Sequence, residues 1–129
     1  MWRGSFDPKK REVPVAVRVY GPSANRRFRF LLDTGTQRTV IDPSVLDSLG
    51  YGAHMGTRIS HLLGAGGPQS GYLIEVARLE VFGVAVGPLE VFCHDLLIDR
   101  GIEGLIGMDL VEGRVLVLDA VEGILSVGA

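Results

Sequence analysis

The sequence predicts an all-β domain, and three observations carry that prediction. Glycine makes up 18 of the 129 residues, about twice the ~7% usual in globular chains, which favours tight turns between short elements. Apolar residues reach 47% and are rich in valine, with few runs at helical spacing. Apolar and polar residues also alternate in "VPVAVRVYG", where Val13, Val15, Val17 and Val19 share one face at the period of a half-buried strand.

The elements follow in chain order. Residues 1–11 are charged and carry Pro8, which suits a flexible or edge arm ahead of a single domain over residues 12–129. After the first strand, "GPSANRR" has turn chemistry, with Arg26, Arg27 and Arg29 at a solvated hairpin tip. "FRFLLD" is the next strand, with Phe28, Phe30 and Leu32 on one face. "TVID" is a short strand, and "PSVLDSLGY" a short helix with Pro43 at its start and Gly50 at its end. Strand-like sequence on both sides of "GAGGPQSG" predicts a hairpin with a glycine-rich tip. That tip lacks the third glycine of a dinucleotide fingerprint, since Gln69 stands there. "VAVGPLEVFCHDLL" continues as strands. "GIEGLIGMDLVEG" reads as a glycine-flanked apolar pair and one helical turn. "RVLVLDAVEGILSV" reads as two strands around a turn at "AVEG".

Composition excludes several functions. A net charge of −2 points away from nucleic acid or an anionic membrane as a main partner. One cysteine, Cys93, rules out an intrachain disulfide and reads as a small buried hydrophobe. No stretch reaches the ~18 apolar residues of a spanning helix, and the first residues have no apolar signal core. These features suit a cytoplasmic protein or a soluble domain of a longer one.

Walker loops, nucleophile elbows, zinc-protease helices and paired CxxC motifs are absent. His54, His61 and His94 do not form a metal pattern, and no cofactor is called for. What remains is Asp33, at the mouth of the most apolar strand in "RFLLDTGTQRTVID". A carboxyl placed there is partly desolvated unless partners hold its charge. Thr34 and Thr36 offer hydroxyls, and Gly35 permits a tight turn and keeps a Cβ away from the carboxyl. The pattern suits acid/base chemistry, and equally a strand-end aspartate capping a turn.

The wider order is more specific. "LLDTGTQRTVI", then "LLGAGGPQSGY", then "GLIGMDLV" resembles the retropepsin-like aspartic proteases over most of the chain, from about Val13 onward. The three segments resemble that family's catalytic loop, its flap, and the segment that crosses behind the loop into a helix. The resemblance implies a closed or partly closed acid-protease barrel, one lobe per chain, with one or two short helices and a hairpin flap. It implies an aspartic endopeptidase working as a homodimer on an extended peptide or protein. Each chain would give one Asp33 beside a two-fold axis. Two carboxyls about 3 Å apart cannot both ionise readily and share a proton, behaviour for which aspartic proteases are the standard example.

By the same resemblance, Thr34 would lock the two loops across the axis and Gly35 would offer backbone to the substrate. Thr36 would hydrogen-bond the carboxylate, favour its charged form and lower the pH optimum. Leu63, Gly64, Ala65, Gly66 and Gly67 would form the flap tip. Val40, Ile41, Leu105 and Ile106 are candidate pocket walls, and equally candidates for ordinary core. Gln37 and Arg38 stand where retroviral enzymes tend to carry acids, so substrate preference and the local salt bridge can differ there; the tail is longer than theirs and the N-terminal arm extended, so the dimer interface can differ from the retroviral terminal sheet. A rival reading is a catalytically quiet peptide-binding or dimerisation module on the same scaffold. Another is a latent enzyme that needs its charged arm removed.

Overall fold

Twelve strands and one short α-helix make up the computed structural model, which describes residues 1–64, 67–96 and 101–128, the side chains of 60–64 and 67–69 excepted. The strands are β1 (Trp2–Ser5), β2 (Pro14–Tyr20), β3 (Asn25–Leu32), β4 (Val40–Ile41), β5 (Arg58–Gly64), β6 (Gly67–Val76), β7 (Arg78–Val81), β8 (Val84–Val86), β9 (Leu89–Cys93), β10 (Gly104–Ile106), β11 (Val115–Asp119) and β12 (Ile124–Gly128). Helix α1 spans Pro43–Ser48, and single 3-10 turns occupy Ala53–Met55 and Met108–Leu110.

The strands form a nine-stranded sheet in the order β5-β6-β9-β4-β10-β3-β2-β7-β8 and a three-stranded sheet in the order β1-β12-β11. The all-β expectation holds. The large sheet is not closed into a barrel, however: β5 and β8 end it as separate edges. The residues after Gly107 form a 3-10 turn rather than a regular helix. Part of the charged leading arm is an edge strand, since β1 pairs with β12 from Trp2↔Val127 to Ser5↔Ile124, and Trp2 meets Phe82 edge to face.

Period-two patterning sets the core. Val15, Val17 and Val19 of β2 are buried together with Phe28 and Phe30 of β3, while Ala16 on the other face of β2 is exposed. Cys93 lies in the same core, and its burial pushes the thiol pKa up, as a packing role requires. A second, smaller cluster gathers Val40, Leu73 and Phe92, with Leu96 and Leu105 against it.

Helix α1 starts at a buried aspartate. Asp42 is its N-cap: Oδ2 accepts from Ser44 N (3.0 Å) and Ser44 Oγ (2.6 Å), and Oδ1 accepts from Leu96 N (2.8 Å). Gly50, at φ +96°, ends the helical segment in a conformation that a side chain would strain. Burial pushes the Asp42 carboxyl up. The Leu96 N–H and the two Ser44 donors outweigh that, so its pKa falls below the usual carboxylate value. A depressed folded-state value stabilises the fold fully above the unfolded value near ~4, and that stability is lost as pH falls through the folded value. Asp42→Asn, which exchanges charge-assisted hydrogen bonds for neutral ones, is therefore expected to cost about 1–2 kcal/mol at neutral pH. Its unfolding midpoint should converge on wild type as pH drops towards about 3, and a gap independent of pH would show that the charge contributes nothing.

Candidate active site

Asp33 follows the last residue of β3, and the topology explains why the chain turns there. Strand β10 lies between β3 and β4, parallel to the first and antiparallel to the second. The loop of residues 33–39 must therefore arch across the end of β10 to reach β4. It is tied down on the way: Asp33 N donates to Ile106 O (3.0 Å), Met108 N to Thr36 O (2.9 Å) and Asp109 N to Gln37 O (3.1 Å). At Gly107 the two segments pass so closely that a Cβ would sit 2.5 Å from the Arg38 carbonyl carbon. Only glycine fits at that crossing.

Two residues that sequence reasoning missed lock the crossing. Thr39 is fully buried. Its N and Oγ1 donate to Asp109 Oδ2 (2.9 Å) and Oδ1 (2.7 Å), and its Oγ1 accepts from Gly107 N (3.2 Å). The available signal was a threonine opening an apolar strand and an aspartate directly after the Gly-Met pair.

Asp33 is half-buried, and Thr34 and Gly35 beside it are exposed. Gly35 N donates to Asp33 Oδ1 (2.9 Å), and a Cβ on Gly35 would lie 3.1 Å from that oxygen. Thr36 does not supply the hydroxyl expected of it. Its Oγ1 donates to Arg38 O (3.2 Å), because the loop turns its side chain towards its own backbone. The expectation of a lowered pH optimum thereby loses its basis.

Arg38 takes a route of its own. Its Nη1 donates to Glu90 Oε1 (3.1 Å) and to Glu90 O (3.2 Å). Glu90 also accepts from Thr57 Oγ1 (3.0 Å) and lies 3.6 Å from Arg58. One carboxylate thus links the end of the loop of residues 33–39 to the base of β5. Strands β5 and β6 form the expected hairpin, in register from Arg58↔Leu73 to Gly64↔Gly67. Of the expected flap tip, Leu63, Gly64 and Gly67 lie at the ends of these strands. Ala65 and Gly66 lie outside the described residues.

The pocket candidates divide. Ile41 and Ile106 are fully enclosed in the main core, because strand alternation turns them away from Val40 and Leu105, so they support the site and line nothing. Val40 is buried in the smaller cluster, and Leu105 is partly exposed against it. A cleft of about 460 Å³, lined by Trp2, Arg18, Arg27, Arg78 and Phe82 among others, lies on another part of the molecule and does not include Asp33. Among the described residues no group of His, Cys, Asp and Glu is placed to hold a metal ion, and no helix is long and apolar enough to cross a membrane.

An all-β lobe whose aspartate loop is bolted to a glycine-ended crossing strand, with a hairpin alongside, defines a class: the single-lobe acid proteases. Residues 15–110 match the family model described as aspartyl protease. The chain belongs to the aspartyl protease family and has a retropepsin-like fold. It is similar to the crystal structure of a retropepsin-like aspartic protease from Rickettsia conorii, with a TM-score of 0.69 and 19% identity over 95% of this chain and 94% of that one. It is also similar to EIAV protease, solved with the inhibitor HBY-793, with a TM-score of 0.62 and 19% identity over 84% of this chain and 95% of that one. No curated protein matches the sequence significantly.

Proposed function

We propose that this chain is an aspartic endopeptidase that acts as a homodimer, with Asp33 of each copy at a shared site. The observation that carries this is a single half-buried carboxyl on a rigidly tied loop whose Thr34 and Gly35 face solvent. The other carboxylate at the crossing, Asp109, is committed to Thr39. On this reading the second catalytic acid comes from a second copy.

One Asp33 carboxyl, protonated, would donate to the carbonyl oxygen of the scissile bond. Its ionised counterpart would take a proton from a water held between them, and that water would attack the carbonyl carbon. Collapse of the tetrahedral intermediate would break the C–N bond, with the proton passing to the leaving amine. Thr34 would make contacts across the axis, and Gly35 would present backbone to the peptide. The hairpin around residues 63–67 would close over a substrate held extended by strand-like hydrogen bonds. Leu105 is the remaining candidate for a pocket wall.

The shared site predicts second-order behaviour. Cleavage rate should rise with the square of protein concentration below the dimer dissociation constant and linearly above it. A linear response throughout, in protein shown by sedimentation to be monomeric, would refute the shared site. Removing residues 1–11 would delete β1 from its pairing with β12, so trimming the arm is expected to destabilise the protein.

A further inference from the structure

The outer face of β2, β3 and β7 carries more positive charge than its neighbours balance. Of the three arginines that follow the β2–β3 turn, two are accounted for. Arg26 donates to Ser48 Oγ (3.0 Å) and lies over the Phe28 ring, and Arg29 pairs with Glu12 at 2.6 Å. Arg27 is exposed, and its side chain makes no hydrogen bond or ion pair with any described residue. The register sets it directly opposite Arg18 of β2. Arg18 donates to the neutral Asn25 Oδ1 (2.9 Å). Glu80 faces Arg18 from β7, but its carboxylate is engaged by the Tyr20 hydroxyl and by Arg78 (3.1 Å).

Like charges directly opposite one another on a sheet destabilise it. Here Arg18, Arg27 and Arg78 share one glutamate around the cleft of about 460 Å³, in a chain of net charge −2. Trp2 and Phe82, packed edge to face, give that cleft its aromatic lining. Directly opposed residues on adjacent strands stand about 5 Å apart, as Arg27 and Arg18 do. Arg78 is the diagonal neighbour of Arg18, about 7–8 Å away. One compact anion would not span such a row. Alternate side chains of an extended peptide project to one side at a spacing of ~6.7 Å, so acids at alternate positions can reach along it. A second cleft, of about 560 Å³, shares Ala16 and Arg27 with the first and adds Pro14, Arg29 and Glu103. It follows β2 and β3 towards the end that leads to Asp33, where Pro14 pairs with Leu31.

We propose that this arginine row docks an extended acidic segment of a protein substrate, at a distance from the bond to be cut. That the segment belongs to a substrate rests on the endopeptidase reading above; that it is acidic and extended rests on the charge and spacing of Arg18, Arg27 and Arg78. Arg27 lies six residues before Asp33 along the same strand and the turn that follows it, about 20 Å at ~3.3 Å per residue. About six residues of extended peptide would therefore separate the acidic segment from the scissile bond. Docking there raises the local concentration of the segment to be cut. It lowers KM and leaves kcat unchanged, because the contact is the same in the ground state and the transition state.

The probe is a fluorescein-labelled peptide of alternating glutamate and alanine, its binding read by anisotropy at low salt. The test variant is Arg18→Gln/Arg27→Gln, with Arg26→Gln on the same hairpin as its comparison. Each exposed arginine–carboxylate pair contributes up to about fivefold in affinity, so the double variant should bind on the order of 10-fold more weakly, while Arg26→Gln binds like wild type. The double variant should unfold no earlier than wild type, since it removes the like-charge pair. Fused about six residues from a bond that the wild type cuts, the same segment should lower KM, and the double variant should lose that gain with kcat unchanged. No binding by wild type, equal binding by the double variant, a double variant that unfolds earlier, or tighter binding of inorganic phosphate or a single-stranded oligonucleotide than of the peptide would each overturn the docking site. A wild type that holds the peptide through Arg18 and Arg27 yet cuts nothing would uphold the acidic-peptide surface and overturn the proposed activity. Cleavage by a wild type that holds no acidic peptide would do the reverse.

Discussion

Asp33→Asn is expected to abolish peptide cleavage and to leave the fold intact. The substitution keeps shape, and its amide oxygen can still accept the Gly35 N–H that closes the turn at 2.9 Å. It removes the proton chemistry. Two amides cannot share one acidic proton, and neither can take a proton from water. The loss should be on the order of 10⁴-fold or more, the upper range for a positioned acid/base group. The measurement is cleavage of a diverse peptide library from about pH 4 to about pH 7.5, where a shared-proton pair operates, with thermal unfolding of both proteins alongside. Turnover retained by the variant would remove Asp33 from the chemistry. Absence of cutting by a demonstrated wild-type dimer would favour a peptide-binding module on the same scaffold.

The second large effect is expected at Asp109, which clamps the end of the loop that bears Asp33. Asp109→Ala leaves the Thr39 N–H and the Thr39 hydroxyl without their acceptor, and Thr39 is fully buried. An unsatisfied buried donor costs about 1–3 kcal/mol, and bonds to a charged acceptor are stronger than neutral ones. A loss of about 2–4 kcal/mol follows, or a fall of roughly 10 °C in the unfolding midpoint for a domain of this size. Asp109→Asn retains one acceptor oxygen and should lose about half as much. Activity should fall more than stability alone explains, because the loop of residues 33–39 loses its clamp. Denaturant unfolding and cleavage by the folded fraction separate the two effects, and equal stability of the alanine and asparagine variants would discount the paired hydrogen bonds.

Much of the architecture was legible because its signals are local. The alternation in β2 and β3, the Pro43 and Gly50 flanks of α1 and the turn between β11 and β12 each sit within a few residues of the element they specify. The insertion of β10 between β3 and β4 has no such signal. A three-residue Gly-Leu-Ile strand carries too little pattern to show its partners, and only the resemblance to the aspartic proteases indicated the crossing. Thr39 and Asp109 escaped notice for the same reason: each looks ordinary until the other is beside it. Thr36 was misjudged because composition shows that a hydroxyl is available and not which way it turns. Ile41 and Ile106 were left open between pocket wall and core because alternation within two- and three-residue strands cannot show which face is enclosed; the structure encloses both in the core.

The crossing also has a consequence for how the protein folds. The bond that clamps the loop joins residues 70 apart in sequence, so it depends on a non-local closure that is slow relative to local hairpins. While it is being synthesised, the chain can form the β2–β3 hairpin and α1 early, but the loop bearing Asp33 has no fixed shape until β10 has been made and threaded between its neighbours. The geometry around Asp33 is therefore among the last features to mature. On the proposed function, a nascent or partly folded copy would be inert, and hydrolytic capacity would appear only with a nearly complete tertiary structure.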